Sequence, residues 1–303
     1  MIQANALYKG FGKKNAIENL SCNIPSGCIY GLVGANGAGK STLLRLIAGV
    51  YAPTSGSILV DGQAPYNSPQ ARGMVSFVPD ESFFLPQSDL KRMAAMVAAG
   101  NPRFDDAYFR SLLDRFRLPY RQNLNTFSKG MRRQGAILLA LATRPTYLLL
   151  DETFDGLDPI VRNLVKTILY ETMEDNHTTC VLTSHSLREL EDTCDQLALL
   201  YKGGVVFESD VQNLKTGMFK VQIAFDAPFD RTKFAAFAPK EYSQQGRVAT
   251  FLLRGDRDAV KEQLAAMNPL LLEILPLSLE EVFVHEMSAL GYAFEVGEEA
   301  QTK

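Results

Sequence analysis

The run Gly34-Ala35-Asn36-Gly37-Ala38-Gly39-Lys40-Ser41-Thr42 has the glycine spacing and the Lys-Ser-Thr ending of a loop built to grip phosphate. Glycine at the turn positions lets main-chain N–H groups curl around phosphate oxygens. A helix expected over residues 42–47 points its positive end inward, Lys40 adds a mobile cation, and Ser41 is placed to hold a magnesium ion. Gly34, Asn36, Gly37, Ala38, Gly39, Lys40, Ser41 and Thr42 are the expected contacts to a nucleotide. Downstream, Leu148-Leu149-Leu150 ends in Asp151-Glu152. Magnesium prefers oxygen ligands and keeps several waters, so Asp151 can bind it through water while Glu152 polarises an attacking water. Such a strand end alone is an ordinary pair of solvated carboxylates; following a phosphate loop, it reads as the hydrolytic half of the same site. Between the two lies Asn125-Thr126-Phe127-Ser128-Lys129-Gly130-Met131-Arg132-Arg133-Gln134, where Ser128 can cap a helix and Gly130 can open its N–H groups to a second anion.

These residues need a scaffold of parallel strands. Residues 28–33 and 146–150 are apolar runs of buried-strand length, as are 73–79 and 179–183. A helical segment over 159–173 separates 146–150 from 179–183, and strands joined by a crossover helix pair in parallel. Turn signals at Gly10-Phe11-Gly12 and Pro25-Ser26-Gly27 predict β hairpins ahead of the phosphate loop, and a further strand pair is expected over 56–62. From Ser88 to Ala142 the period becomes helical, with Leu90, Met93, Ala94 and Val97, then Tyr108, Leu112, Leu113 and Phe116, on common faces. Strands at 196–201 and 205–208 flank Gly203-Gly204, a hairpin signal in which glycine supplies positive φ. Beyond Leu214 the pattern changes. Phe219, Val221, Ile223 and Phe225 alternate, 248–253 gives a second strand, Val260, Leu264 and Met267 share a helix face, and Ser278 with Glu281 forms a capping box. A small α+β appendix is expected over about 216–290, with a frayed polar tail at 297–303.

Bulk properties bound the rest. A chain of 303 residues is long enough for one large domain and a smaller one. A net charge of −3 is too small and too mixed to argue for a nucleic-acid surface. Cys22, Cys28, Cys180 and Cys194 lack Cys-x-x-Cys spacing, and with three histidines in the chain no zinc pattern assembles; reduced thiols are expected. Residues 1–6 lack a basic segment followed by an apolar core, so no secretory signal is expected, and no apolar run approaches the ~20 residues needed to cross a bilayer.

In order along the chain, these motifs resemble the ATP-binding proteins of ATP-binding cassette (ABC) transporters, of the exporter type. The resemblance covers most of residues 1–215. It rests on Phe11 before the first hairpin turn, the phosphate loop, the signature-like Phe127-Ser128-Lys129-Gly130-Met131, Leu150-Asp151-Glu152, Gly156-Leu157-Asp158 and Thr183-Ser184-His185. It implies an α/β P-loop NTPase fold over 1–215, with an N-terminal antiparallel β subdomain and a helical insertion at about 82–143, followed by an accessory domain over 216–303. It implies ATP and Mg²⁺ as cofactors, Phe11 stacking on adenine, Glu152 and His185 as catalytic residues, and Ser41, Asp80 and Asp151 at the metal. Ser128, Gly130 and Asp158 would meet the nucleotide of a second copy, so hydrolysis implies a dimer, with a homodimer expected in the ATP state. A separately encoded integral membrane permease is the implied partner, which places the chain in the cytoplasm, peripheral on the inner face of the membrane. Leu277-Ser278-Leu279-Glu280-Glu281-Val282-Phe283 resembles a C-terminal segment common in exporter ATPases.

Three positions depart from the family pattern. Asp80 stands where glutamine usually follows Val78-Pro79; a carboxylate can ligate magnesium through water but cannot donate a hydrogen bond when ionised. Met131 replaces the signature glutamine, and Thr153 a proline. Two other functions compete with the exporter. One is a soluble cassette ATPase acting on ribosomes or DNA, whose members carry two cassettes with a charged helical linker or insert long coiled coils. The other is a non-catalytic regulatory module, against which Lys40, Asp151, Glu152 and His185 argue together.

Overall fold

The computed structural model describes residues 1–211 and 218–289, which fall into two compact units dividing at Glu208 and Ser209. The expected domain boundary near 215 and the expected tail at 297–303 lie outside the described residues.

The first unit opens with β1 (Ile2–Phe11) and β2 (Lys14–Ile24), an antiparallel hairpin whose inward positions Ile2, Ala4, Leu7, Ile17 and Leu20 are buried. β3 (Ile29–Val33) enters a different sheet and leads through the glycine loop into α1 (Lys40–Ile47). β4 (Ser55–Val60) returns to pair with β1, giving the order β2-β1-β4. Residues 56–62 therefore supply one strand rather than a pair: Asp61 and Gly62 both take positive φ and turn the chain away.

After α2 (Pro69–Gly73) comes β5 (Val75–Val78), and after the helical segment β6 (Tyr147–Leu150), α6 (Pro159–Asn176) and β7 (Thr179–Ser184). α7 (Leu187–Glu191), β8 (Gln196–Tyr201) and β9 (Gly204–Asp210) follow. The six-stranded sheet has the order β5-β6-β7-β3-β8-β9, with β5, β6, β7, β3 and β8 paired in parallel. Every residue of β3 and of β6 is buried, as expected of strands covered on both faces. Because β3, β6 and β7 are neighbours running the same way, the segments leaving their carboxyl ends converge on one edge of the sheet. The β8–β9 turn uses Lys202 and Gly203 at positive φ, one position earlier than the glycine pair predicted.

The helical segment comprises α3 (Leu90–Gly100), α4 (Asp106–Phe116) and α5 (Lys129–Ala142). Asp89, Asp105 and Ser128 cap them, accepting from Arg92, Tyr108 and Met131 N–H at 2.8, 2.9 and 3.1 Å. Phe109, rather than the expected Tyr108, is fully buried with Leu112 and Leu113; the Tyr108 ring is instead covered by the Arg144 guanidinium, 3.6 Å from its centroid. Asp105 also pairs with Arg144 at 2.9 Å, and the Tyr108 N–H and that guanidinium together hold its carboxyl below the usual carboxylate range. Asp105→Ala should cost about 1–2 kcal/mol in chemical denaturation at neutral pH. Since the folded carboxyl titrates lower than the unfolded one, the contribution is complete above the ordinary carboxylate range and fades as pH falls through the lowered value. The difference between variant and wild type should therefore shrink in acid.

The second unit is a four-stranded antiparallel sheet of β10 (Met218–Ala224), β11 (Lys240–Gln245), β12 (Val248–Arg254) and β13 (Leu271–Pro276), ordered β11-β12-β10-β13. Phe219, Val221, Ile223, Phe251 and Leu253 bury one face with Phe234 and with Leu264 of α8 (Arg257–Ala265). α9 (Leu279–Ala289) begins with the predicted capping box: Ser278 N–H donates to Glu281 Oε2 at 2.9 Å, and Glu281 N–H to Ser278 Oγ at 3.3 Å.

Candidate active site

The loop between β3 and α1 owes its shape to backbone freedom. Gly39 takes φ 110°, and a Cβ there would lie 2.6 Å from the Ala16 carbonyl oxygen, so no other residue fits without displacing main chain. α1 starts at Lys40, two residues earlier than predicted, which puts Lys40, Ser41 and Thr42 in its first turn, where N–H groups are left for an anion. Lys40 is 5% exposed, and its Nζ donates to Gly34 O at 2.6 Å and lies 3.1 Å from Glu152 Oε1.

The strand-end residues join this loop. Ser41 Oγ donates to Asp151 Oδ1 at 3.0 Å, and Thr183 Oγ1, at the end of β7, donates to the same oxygen at 2.8 Å. Thr183 Oγ1 also accepts the Glu152 N–H at 2.8 Å. The second oxygen, Asp151 Oδ2, is buried with no protein partner. A buried carboxylate oxygen facing no donor, beside a serine hydroxyl, fits a hard divalent cation, so Ser41 and Asp151 suit magnesium. His185 Nδ1 lies 3.1 Å from Glu152 Oε2 with the histidine side chain 52% exposed, so Glu152 stands between Lys40 and His185.

Beside this cluster opens a cavity of about 440 Å³, lined by Phe11, Lys14, Ala16, residues 35–42, Asp80 and Glu152. Phe11 is 46% exposed and stands edge-on to Tyr51, with ring centroids 5.2 Å apart and Lys9 Nζ 5.1 Å from its own. An exposed, buttressed ring at the rim of a polar cleft suits stacking on a base. Asp80 turns one carboxylate oxygen to the Arg133 guanidinium. Ser128, Gly130 and Asp158 do not line this cavity. Asp158 caps α6, accepting from the Ile160 and Val161 N–H groups at 3.0 Å each. A Cβ on Gly130 would stand 2.7 Å from Gly156 O, so the two segments expected to meet a second copy touch within one chain.

Thr183 and Arg133 are the functional candidates that motif reading passed over. Thr183 was visible as the residue before Ser184-His185 but had no role. Arg133 shares a four-residue spacing with buried Ile137 and Leu141 of α5, and an arginine on an apolar stripe was the available signal. All four cysteines are free thiols; burial pushes Cys22 and Cys180 up to about 12 and Cys28 to about 11, which keeps them protonated.

The profile of the ABC transporter family matches residues 17–155. The ABC transporter ATP-binding protein YtrB of Bacillus subtilis is 30% identical over 94% of this chain and 97% of its own. The Nod factor export ATP-binding protein I of Mesorhizobium japonicum is 31% identical over 91% of this chain and 83% of its own. Among solved structures, an ATP-binding subunit of an ABC transporter superposes with a TM-score of 0.66 at 25% identity, covering 71% of this chain and 92% of that one.

Proposed function

This chain belongs to the ABC transporter family, and from that premise we propose that it is the ATP-hydrolysing subunit of an exporter, driving a separate membrane permease. One observation carries the reading: Lys40, Ser41, Asp151, Thr183, Glu152 and His185 form a continuous polar chain at one end of the parallel sheet, beside a cleft of nucleotide dimensions. The relatives that match along most of the chain bear ABC ATP-binding names, one of them for export, which favours transport over work on ribosomes or DNA.

In this reading Phe11 stacks on adenine, and the main-chain N–H groups of residues 34–42 with Lys40 bind the phosphates. Ser41 and Asp151 would hold Mg²⁺, which when bound would offset charge on the phosphate oxygens, while Asp80 at the rim of the cleft is engaged by Arg133. Glu152 takes a proton from the water whose oxygen attacks the γ-phosphorus; the bond from that phosphorus to the bridging oxygen breaks, and ADP leaves with the electron pair. His185 orients Glu152 and the γ-phosphate. Ser128, Gly130 and Asp158 belong to the site of a second copy, so closure on two nucleotides brings two chains together and opening follows hydrolysis. A ligand that binds the closed form more tightly shifts the population toward it, and the permease follows. Among the described residues no helix is long and apolar enough to cross a membrane, in keeping with a subunit held at the cytoplasmic face by its partner.

The test is capture of the tagged full chain from detergent-solubilised membranes, alongside Mg·ATP turnover by the purified protein. Recovery of an integral membrane protein is expected. An active ATPase that captures none, and instead co-purifies with ribosomes or DNA, would favour the soluble reading.

A further inference from the structure

We propose that Arg133 is a positioning residue for hydrolysis: its guanidinium fixes the main chain of the catalytic glutamate and, with Asp80, ties that main chain to helix α5. The inference rests on the reading of Glu152 as general base and of Ser128 as a contact to a second copy's nucleotide.

Arg133 is 3% exposed, deep enough that its charge must be fully compensated. Its Nη1 donates to Glu152 O and lies 3.3 Å from Asp151 O; its Nη2 donates to Asp80 O at 2.5 Å and to Asp80 Oδ1. One planar fork thus spans the chain leaving β5 and the chain leaving β6, a geometry that lysine's single ammonium cannot reproduce. The grip falls on an unusual backbone. Glu152 takes φ 46°, a left-handed conformation that non-glycine residues keep only where surrounding contacts hold them. Thr183 Oγ1 holds its N–H and Arg133 its C=O, so both peptide planes flanking the Glu152 Cα are pinned, and the direction of the carboxylate follows from them.

Asp80 then has a physical reason. Glutamine at that position can accept a hydrogen bond from a guanidinium but brings no charge to a buried one, whereas aspartate makes the pair ionic. Arg133 also lies on the helix that Ser128 caps, about 7.5 Å along its axis. Any shift of that cap on meeting a second copy's nucleotide reaches the carbonyl oxygen of this copy's Glu152 through a single side chain. The coupling between this copy's own site and the site it completes on a second copy therefore runs through the Arg133 guanidinium, whose charge Asp80 compensates.

The test uses the full chain with Arg133→Met, Arg133→Lys, Asp80→Asn and the Asp80→Asn/Arg133→Met double variant, reading kcat and KM for Mg·ATP and the ATP dissociation constant by calorimetry. Arg133→Met should lower kcat roughly ten- to hundredfold, as sub-ångström misplacement of a base does, with ATP affinity within about threefold of wild type. Arg133→Lys should recover part of the loss, and the double variant should fall no further than Arg133→Met, because both changes break one interaction. A kcat for Arg133→Met within twofold of wild type would overturn the proposal, as would equal losses in affinity and kcat. Multiplying losses in the double variant would also overturn it, placing Asp80 at the metal independently of Arg133. Should Arg133→Met fail to fold, Arg133→Lys and Asp80→Asn decide: wild-type kcat in both overturns the proposal, and reduced kcat with retained affinity supports it. Absence of turnover in the wild-type chain removes the hydrolytic reading and this inference with it; turnover indifferent to all four changes removes this inference alone.

Discussion

Glu152→Gln should bind ATP with little change in affinity, hydrolyse it about 10²- to 10⁴-fold more slowly, and accumulate as an ATP-held dimer. The amide keeps the volume of the carboxylate and can still accept from Lys40 Nζ, which lies 3.1 Å from Oε1 in the wild-type chain. What it cannot do is take a proton from the attacking water. Closure therefore proceeds and opening, which waits on hydrolysis, does not. Size-exclusion chromatography with ATP and magnesium distinguishes the outcomes. A protein that elutes as a monomer at saturating nucleotide, with hydrolysis abolished, would retain the base and remove the dimer from the mechanism.

Lys40→Ala acts a step earlier. It removes the buried cation that touches both Gly34 O and Glu152, and with it the direct positive charge on the phosphates. Charge-assisted bonds of this kind are worth about 2–3 kcal/mol, so ATP affinity should fall roughly 30- to 150-fold by titration calorimetry. Thermal stability should change much less, because the loop is shaped by its glycines and by α1 rather than by this side chain. Unchanged affinity would withdraw the phosphate-loop assignment. The two variants separate along one axis, Lys40→Ala losing binding and Glu152→Gln losing chemistry.

How far the site could be read before folding depended on distance along the chain. The phosphate loop, the Asp151-Glu152 strand end and the Ser278–Glu281 capping box are local patterns whose geometry follows from a few consecutive residues, and the fold places each as its pattern implies. Helix faces were legible to within one residue, Phe109 taking the buried position expected of Tyr108 because Arg144 covers the tyrosine ring. Pairing was less legible. Residues 56–62 read as a strand pair, yet they hold the single strand β4, whose partner is β1, some fifty residues back, a choice made by tertiary packing. Arg133 escaped for the same reason: its acceptors lie at Asp80, Asp151 and Glu152, on two different strand ends, and nothing near it in sequence announces them. Thr183 likewise earns its place only once β6 and β7 lie side by side.

The contact between Gly130 and Gly156 bears on how such a chain can vary. Any side chain at 130 would run into the Gly156 carbonyl oxygen, and Gly156 itself sits at φ 73°, where side chains are strained. Position 130 is closed by the path of the backbone and position 156 is strained for any side chain, whatever nucleotide or cargo is involved. Exposed positions of the neighbouring helices can therefore change with little consequence for this contact, whereas a side chain at 130 forces the main chain at 156 to move.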